Sequence, residues 1–180
     1  MMTAKKLNFG NIMGHVTNVT NLSSLASWTA DQFDPTLTWE DIAWIKDRWK
    51  GKLILKGIMD SEDAMLAVKA GADAIIISNH GGRQLDGAPS TISVLPEIVD
   101  AVNSKVEVHF DGGVRSGQDV LKALALGADC IHIGRPYVYG LGAKGQEGVE
   151  IAIEIIKKEL DLTMATVSYT HLRAHETHEN

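Results

Sequence analysis

Four short, mostly apolar runs constrain this chain more than any other feature: Leu53–Lys56, Ala74–Ser78, Glu107–Asp111 and Cys130–Ile133. None shows a long two-sided alternation, as expected for strands covered on both faces. Stretches with helical signals separate them. Thr38 reads as the cap of a helix with Glu40 and Asp41 in its first turn and Ile42, Ile45 and Trp49 down one side. Asp60-Ser61-Glu62-Asp63 opens a second helix, which closes at Gly71. Pro96 is expected near the start of Leu95–Val102, where a missing N–H does no harm. Ser116 and Asp119 resemble a capping box for a helix ending at Gly127. Val149, Ala152, Ile153 and Ile156 mark the buried stripe of a last helix. Strand then helix, repeated, argues for parallel strands joined by crossovers.

An internal echo narrows the class. KAGADAIIIS at Lys69–Ser78 is similar to LALGADCIHIG at Leu124–Gly134, and Lys56-Gly57 is echoed by Asp111-Gly112. Both echoes recur about two strand–helix units apart, as in a (β/α)8 barrel built by duplication. A doubly wound sheet competes, but its Gly-rich fingerprint after the first strand is absent. Such barrels usually run to roughly 250 residues and eight strands. The expectation is α/β, half of a TIM barrel.

Composition bounds the function class. The net charge is −6, from 17 basic and 23 acidic side chains, which argues against a nucleic-acid binder. A single cysteine, Cys130, excludes an intrachain disulfide framework and fits a reducing, cytoplasmic compartment. No apolar run approaches the roughly 18 residues that span a bilayer, and Lys5 and Lys6 lead into no signal-type apolar block. The end of the chain differs from the rest. VSYTHLRAHETHEN lacks apolar periodicity, and His171, His175 and His178 could share a helix face as metal ligands. Val167 to Thr177 instead resembles a sequencing adapter translated in frame. Residues 166–180 are therefore set apart as an artefact tail, the natural C-terminus is expected to be missing, and no metal site is assigned.

In barrels the active site gathers at the C-terminal ends of the strands. Those ends carry Lys56, then Ser78-Asn79-His80, then Asp111-Gly112-Gly113, then Gly134-Arg135. One lysine after a strand is ordinarily a solvated loop residue; four polar ends in line are not so easily dismissed. In DGGVRSGQD, two glycines allow close backbone approach to an anion and Arg115 supplies a forked cation. Ser116 starts a helix whose amides point the same way. Gly134-Arg135-Pro136 repeats the device, which makes a phosphate site. His80 can take a proton near neutral pH, and Arg83 can hold a carboxylate bidentately. His109 and His132 lie within strands and read as packed or barrel-interior groups, and Cys130 as a small buried residue.

Ser78-Asn79-His80-Gly81-Gly82-Arg83-Gln84 resembles the active-site signature of the FMN-dependent 2-hydroxy-acid dehydrogenases and oxidases. That family includes flavin L-lactate dehydrogenases, glycolate oxidase and mandelate dehydrogenase. The resemblance runs from about Leu7 to Ala165 through LILKGI, IISNHGGRQLDG, DGGVRSGQDVLKALALGA and IGRPYVYGL. The L-lactate dehydrogenase branch is nearest, through FDPTLTWEDIAWIKDRW and KKELDLTMA. Phosphate-binding barrels such as type 2 isopentenyl diphosphate isomerase share the glycine loops but not SNHGGRQ.

The resemblance implies a division of labour. Lys56 would sit at the N1–C2 oxygen edge of the flavin, and Ser78 would touch the isoalloxazine. His80 would be the base and Arg83 the substrate carboxylate clamp. Asp111, Gly112, Gly113, Arg115, Gly134 and Arg135 would hold the ribityl chain and phosphate of FMN. An L-2-hydroxy acid such as L-lactate would become the 2-oxo acid, with electrons leaving to a quinone, a cytochrome or oxygen. Full-length relatives imply a homo-oligomer, a tetramer, either cytoplasmic or peripheral on the inner face of the plasma membrane.

The resemblance also places the chain within the family fold, as strands five to eight, the C-terminal half of the barrel. Residues 1–27 correspond to the loop before strand five, and residues 28–165 to the half-barrel domain. The aspartate that orients the histidine and the tyrosines that meet the substrate would precede this chain. Two readings therefore stand side by side: a hydroxy-acid dehydrogenase, and a truncated, inactive fragment of one with at most weak FMN binding. A half barrel would expose two unpaired sheet edges.

Overall fold

The computed structural model describes residues 12, 16, 19 and 21–167. The segment beyond residue 167 with its three histidines, expected to be an artefact, lies outside the described residues, as does most of the loop expected before residue 28. The chain forms two compact units, Met1–Thr38 and Trp39–Asn180. In the first unit, helix α1 (Leu22–Asp31) is closed at its start by a capping box between Asn21 and Ser24. This helix occupies residues 22–27 of the expected loop and runs across the division expected at 27/28; the compact units part at 38/39.

The second unit holds α2 (Trp39–Arg48), β1 (Ile54–Ile58), α3 (Ser61–Lys69), β2 (Ala74–Ile77), α4 (Thr91–Val102), β3 (Glu107–Phe110), α5 (Gly117–Ala125), β4 (Cys130–Ile131), α6 (Arg135–Lys144) and α7 (Gln146–Thr166). The four strands form one sheet in sequence order, every neighbouring pair parallel. Strand followed by helix, in chain order, is the arrangement expected of half a (β/α)8 barrel.

Register divides the strand residues between two faces. Lys56, Ile76, His109 and Cys130 are cross-strand partners on one face, and Leu55, Ile75 and Val108 on the other. The second face is covered by helices. Ile75 and Ile77 are fully buried there with Leu95, Ile98 and Val102 of α4, in a cluster that also holds Ala64, Ala67, Phe110 and Ala123. Each such large aliphatic side chain contributes about 1.5–3 kcal/mol on burial.

The two GAD segments of the internal echo perform the same task twice. Gly71 and Gly127, at φ 81° and 99°, end α3 and α5 in the left-handed region. Ala72 and Ala128 are buried, and their amides bond back to Ala67 and Ala123. Asp73 then accepts the Leu53 amide at 2.9 Å, and Asp129 accepts the Val108 amide at 2.7 Å, each pinning the start of the preceding strand.

Three local expectations are corrected. Helix α4 begins at Thr91, after the N-cap Ser90, so Pro96 lies inside it rather than near its start. The first turn, Thr91-Ile92-Ser93-Val94, three of its four residues β-branched, hides that start because its helix propensity is low. Trp49 follows α2 instead of joining its apolar side; it is 57% exposed, with its indole N–H donated to the Lys52 carbonyl. On α7, Ile156 is buried as expected but Ile153 is 40% exposed, because α7 packs on α5 and α6 and on no third helix to the same extent. Strand limits differ from expectation by one or two residues, most in β1, where a register shift between Lys56 and Ile58 surrounds Gly57.

Candidate active site

At the C-terminal ends of the strands lies a cleft of about 610 Å³. Lys56, His80, Arg83, Asp111, Gly112, Gly113, Arg115, Gly134 and Arg135 all line it. Four of these are cations and one is a carboxylate, in a chain whose net charge is −6. A concave surface with that imbalance attracts anions.

Lys56 is the best-anchored of the cations. Its ammonium donates to Ser78 Oγ at 2.5 Å and pairs with Asp111 Oδ2 at 2.7 Å. Ser78 does not line the cleft: it is buried, and its hydroxyl oxygen accepts from Lys56 and from the His80 amide at 3.2 Å. Its role in the structure is to hold two site residues from behind.

The chain then passes through the left-handed region three times in succession, at His80 (φ 55°), Gly81 (67°) and Gly82 (71°). His80 is the residue of the three for which that conformation costs energy. Asn79 secures the turn from both sides: its Oδ1 accepts the Gly81 amide at 3.0 Å, and its Nδ2 donates to the Pro89 carbonyl at 3.1 Å. Arg135 reaches across from the fourth strand to donate to the Gly81 carbonyl at 2.8 Å. Gly57 lies beneath the imidazole, where an added Cβ would stand 3.2 Å from His80 Cε1. Neither the His80 imidazole nor the Arg83 guanidinium has a partner among the described residues.

The phosphate loops differ from expectation in one respect. The start of α5 is already occupied: Glu159 of α7 accepts the Gly117 amide at 2.9 Å, and Ser116 Oγ accepts that of Asp119 at 3.2 Å. The start of α6 has no side-chain cap. Gly113 and Gly134 face open space, with nothing within 4 Å of an added Cβ, and the Arg115 side chain is unpartnered among the described residues. The amides at the start of α5 are thus not free for an anion, whereas Gly113, Arg115 and the start of α6 are open to one. His132, Gln84, Tyr137 and Tyr139 also line the cleft; Gln84 closes the SNHGGRQ signature and the tyrosines lie in IGRPYVYGL, but no sequence signal gives any of the four a role there. Burial, then the neighbouring His109, hold the His132 imidazole below its usual pKa.

Comparison with known proteins identifies the arrangement. Residues 2–179 match the FMN-dependent dehydrogenase family. The chain belongs to that family. It is 45% identical over 164 residues to L-lactate dehydrogenase of Actinobacillus pleuropneumoniae serotype 5b, covering 91% of this chain and 43% of that protein. With L-lactate dehydrogenase of Xanthomonas oryzae pv. oryzae it shares 47% over 167 residues, 93% of this chain and 43% of the relative. Among solved structures it is similar to mandelate oxidase with (S)-4-hydroxymandelic acid, with a TM-score of 0.76 and 48% identity over 80% of this chain and 40% of that one. The chain therefore spans about two fifths of the length of these relatives. Its sheet corresponds to part of an FMN-dependent TIM-barrel oxidase, as the half-barrel expectation requires. The family is one of oxidoreductases whose cofactor is FMN.

The residues present fit that cofactor. An anion-seeking cleft holds open glycine backbone and an uncapped helix start for a phosphate. A buttressed lysine stands at its floor for an electron-rich ring edge. No described helix is long and apolar enough to cross a membrane.

Proposed function

We propose that this chain supplies the flavin phosphate site, the base and the substrate clamp of an FMN-dependent dehydrogenase acting on an L-2-hydroxy acid, with L-lactate the substrate. The observation that carries this reading is the cleft with four cations and one carboxylate, matching a dianionic cofactor phosphate and a substrate carboxylate. Arg115, Gly113 and the start of α6 bind the phosphate, while Asp111 and Gly112 border the ribityl chain. Arg135, tied to Gly81, joins the phosphate loop to the catalytic turn. Lys56 holds positive charge at the flavin's oxygen edge, fixed by Ser78 and Asp111. Arg83 grips the carboxylate, and the His80 imidazole accepts the proton released as the hydroxy acid becomes the oxo acid. FMN, when bound, takes up the electron pair. The electrons pass on to a quinone, a cytochrome or oxygen, in a homo-oligomer on the cytoplasmic side. The L-lactate dehydrogenases among the relatives support lactate.

The test joins residues 1–167 to the N-terminal half of an L-lactate dehydrogenase relative and follows anaerobic flavin bleaching by L-lactate. His80→Asn should slow bleaching by roughly 10²–10⁴-fold, and Arg83→Ala should raise the lactate concentration needed. Unchanged bleaching in both variants would overturn the roles.

A second reading has its own support. Strands β1 and β4 each have one neighbour in the sheet, leaving two edges, and the His80 imidazole is unoriented among the described residues. On that reading the 180-residue chain alone binds FMN weakly and does not turn over. Bleaching of FMN by the isolated chain with lactate would contradict it.

A further inference from the structure

Beneath the cleft, on the sheet face away from the helices, His109, Cys130 and His132 bring one donor atom each to within 4.8 Å of one another. We propose that these three side chains form a binding site for a four-coordinate divalent transition metal of the zinc type, clamping β3 to β4.

Three observations point to a ligand and not to ordinary packing. First, His109 Nδ1 and His132 Nε2 face each other at 3.1 Å. Two Zn–N bonds of about 2.0 Å at a tetrahedral angle separate their nitrogens by roughly 3.3 Å, so the pair already spans one edge of such a site. Second, Glu107 Oε2 lies 3.1 Å from His109 Nε2. A carboxylate there holds the ring proton on Nε2 and turns the Nδ1 lone pair inward, as the outer partners of metal-bound histidines do. Third, Cys130 is a free cysteine whose sulfur completes a His2Cys donor set, a combination suited to zinc with an open fourth position. On binding, the thiol loses its proton to solvent as the metal–sulfur bond forms, and both imidazoles bind through lone pairs.

A clamp here has a structural purpose. Strand β4 pairs with β3 through two positions only, His109 with Cys130 and Phe110 with Ile131. A metal held by both strands would fix the sheet edge that carries Gly134 and Arg135 into the cleft. None of its ligands has a role in the flavin reading, and of the three only His132 also lines the cleft.

Cobalt(II) is the probe. Cys130 is the chain's single cysteine, so a thiolate-to-cobalt charge-transfer band can come only from it, whereas the tail histidines cannot produce one. Titration of the full chain with Co2+ should give that band with the strong visible d–d absorption of a tetrahedral site, saturating at one metal per chain. Zn2+ should displace it and raise the melting temperature. Cys130→Ser should abolish the band, and Glu107→Gln should keep it while weakening Zn2+ binding by about tenfold. Replacing both His109 and His132 by Gln should remove the tetrahedral spectrum. If the native chain gives no charge-transfer band at saturating Co2+, or the double variant retains an unaltered spectrum, the proposal is overturned.

Discussion

The two ends of one sheet treat charge in opposite ways. At the N-terminal ends of the strands, Asp73 is held by Lys46 at 2.6 Å, by Lys52 at 2.9 Å and by the Leu53 amide, and Asp129 by the Val108 amide. Every partner there comes from the same fold. At the C-terminal ends, Arg83, Arg115 and the His80 imidazole have no partner among the described residues, and glycine backbone stands open. One end uses its charged groups to hold strands together; the other, beside the internally bonded Lys56 and Arg135, leaves Arg83, Arg115 and His80 open to a ligand. That contrast marks the functional face without reference to any relative.

Substitutions at the two ends should therefore separate cleanly. Outside the His80 and Arg83 side chains themselves, the largest expected effect is at Gly57→Ala, tested in the joined two-half protein. Gly57 has φ 100°, and a Cβ would press on His80 at 3.2 Å. If His80 is the base, as proposed, displacing its imidazole by a fraction of an ångström should lower kcat by roughly 10–100-fold, with the dissociation constant for FMN unchanged. A fall in flavin affinity with kcat preserved would mean that Gly57 serves the cofactor and not the histidine.

At the other end, Asp129→Ala leaves the Val108 amide without its acceptor and should cost about 1–2 kcal/mol of stability. It should leave FMN affinity unaltered, because the carboxylate lies across the sheet from the cleft. Denaturant unfolding and flavin titration on the same variant check both halves of that statement.

The smallest effect concerns acid. The Lys46 ammonium bonded to Asp73, followed by the Leu53 amide and Lys52, holds this carboxyl far below the usual carboxylate range. A carboxyl depressed in the folded state stabilises above its unfolded pKa of about 3.9, and that contribution is lost as pH falls through the folded value. The melting temperature of the native chain should therefore drop as pH falls below about 4. Asp73→Asn should show a shallower decline; identical pH profiles would show that Asp73 is not the group responsible.

Much of this architecture is legible in the sequence. Strand–helix order follows from apolar runs, caps and the GAD echo, and nine expected site residues converge on one cleft because strand ends in a barrel share one rim. What the sequence hides depends on contacts distant along the chain. Glu159 claims an α5 amide from 42 residues away, so capping logic at Ser116 cannot reveal it. The convergence of His109, Cys130 and His132 needs the β3–β4 register, which no periodicity within a strand supplies. Ser78 occupies a motif position but is buried behind the cleft, since its neighbours Lys56 and His80 take its oxygen. The start of α4 is obscured by propensity that tertiary packing of Leu95, Ile98 and Val102 overrides.

The most direct test of the central claim compares FMN with riboflavin, which lacks the phosphate, by flavin fluorescence titration of the 180-residue chain and its Arg115→Ala variant. Charge-assisted hydrogen bonds contribute about 1.5–3 kcal/mol each, so FMN should bind at least roughly tenfold more tightly than riboflavin. Arg115→Ala should erase most of that difference. Equal affinity for the two flavins, or a preference for FMN that Arg115→Ala leaves intact, would contradict the assignment of this end of the sheet as the phosphate face.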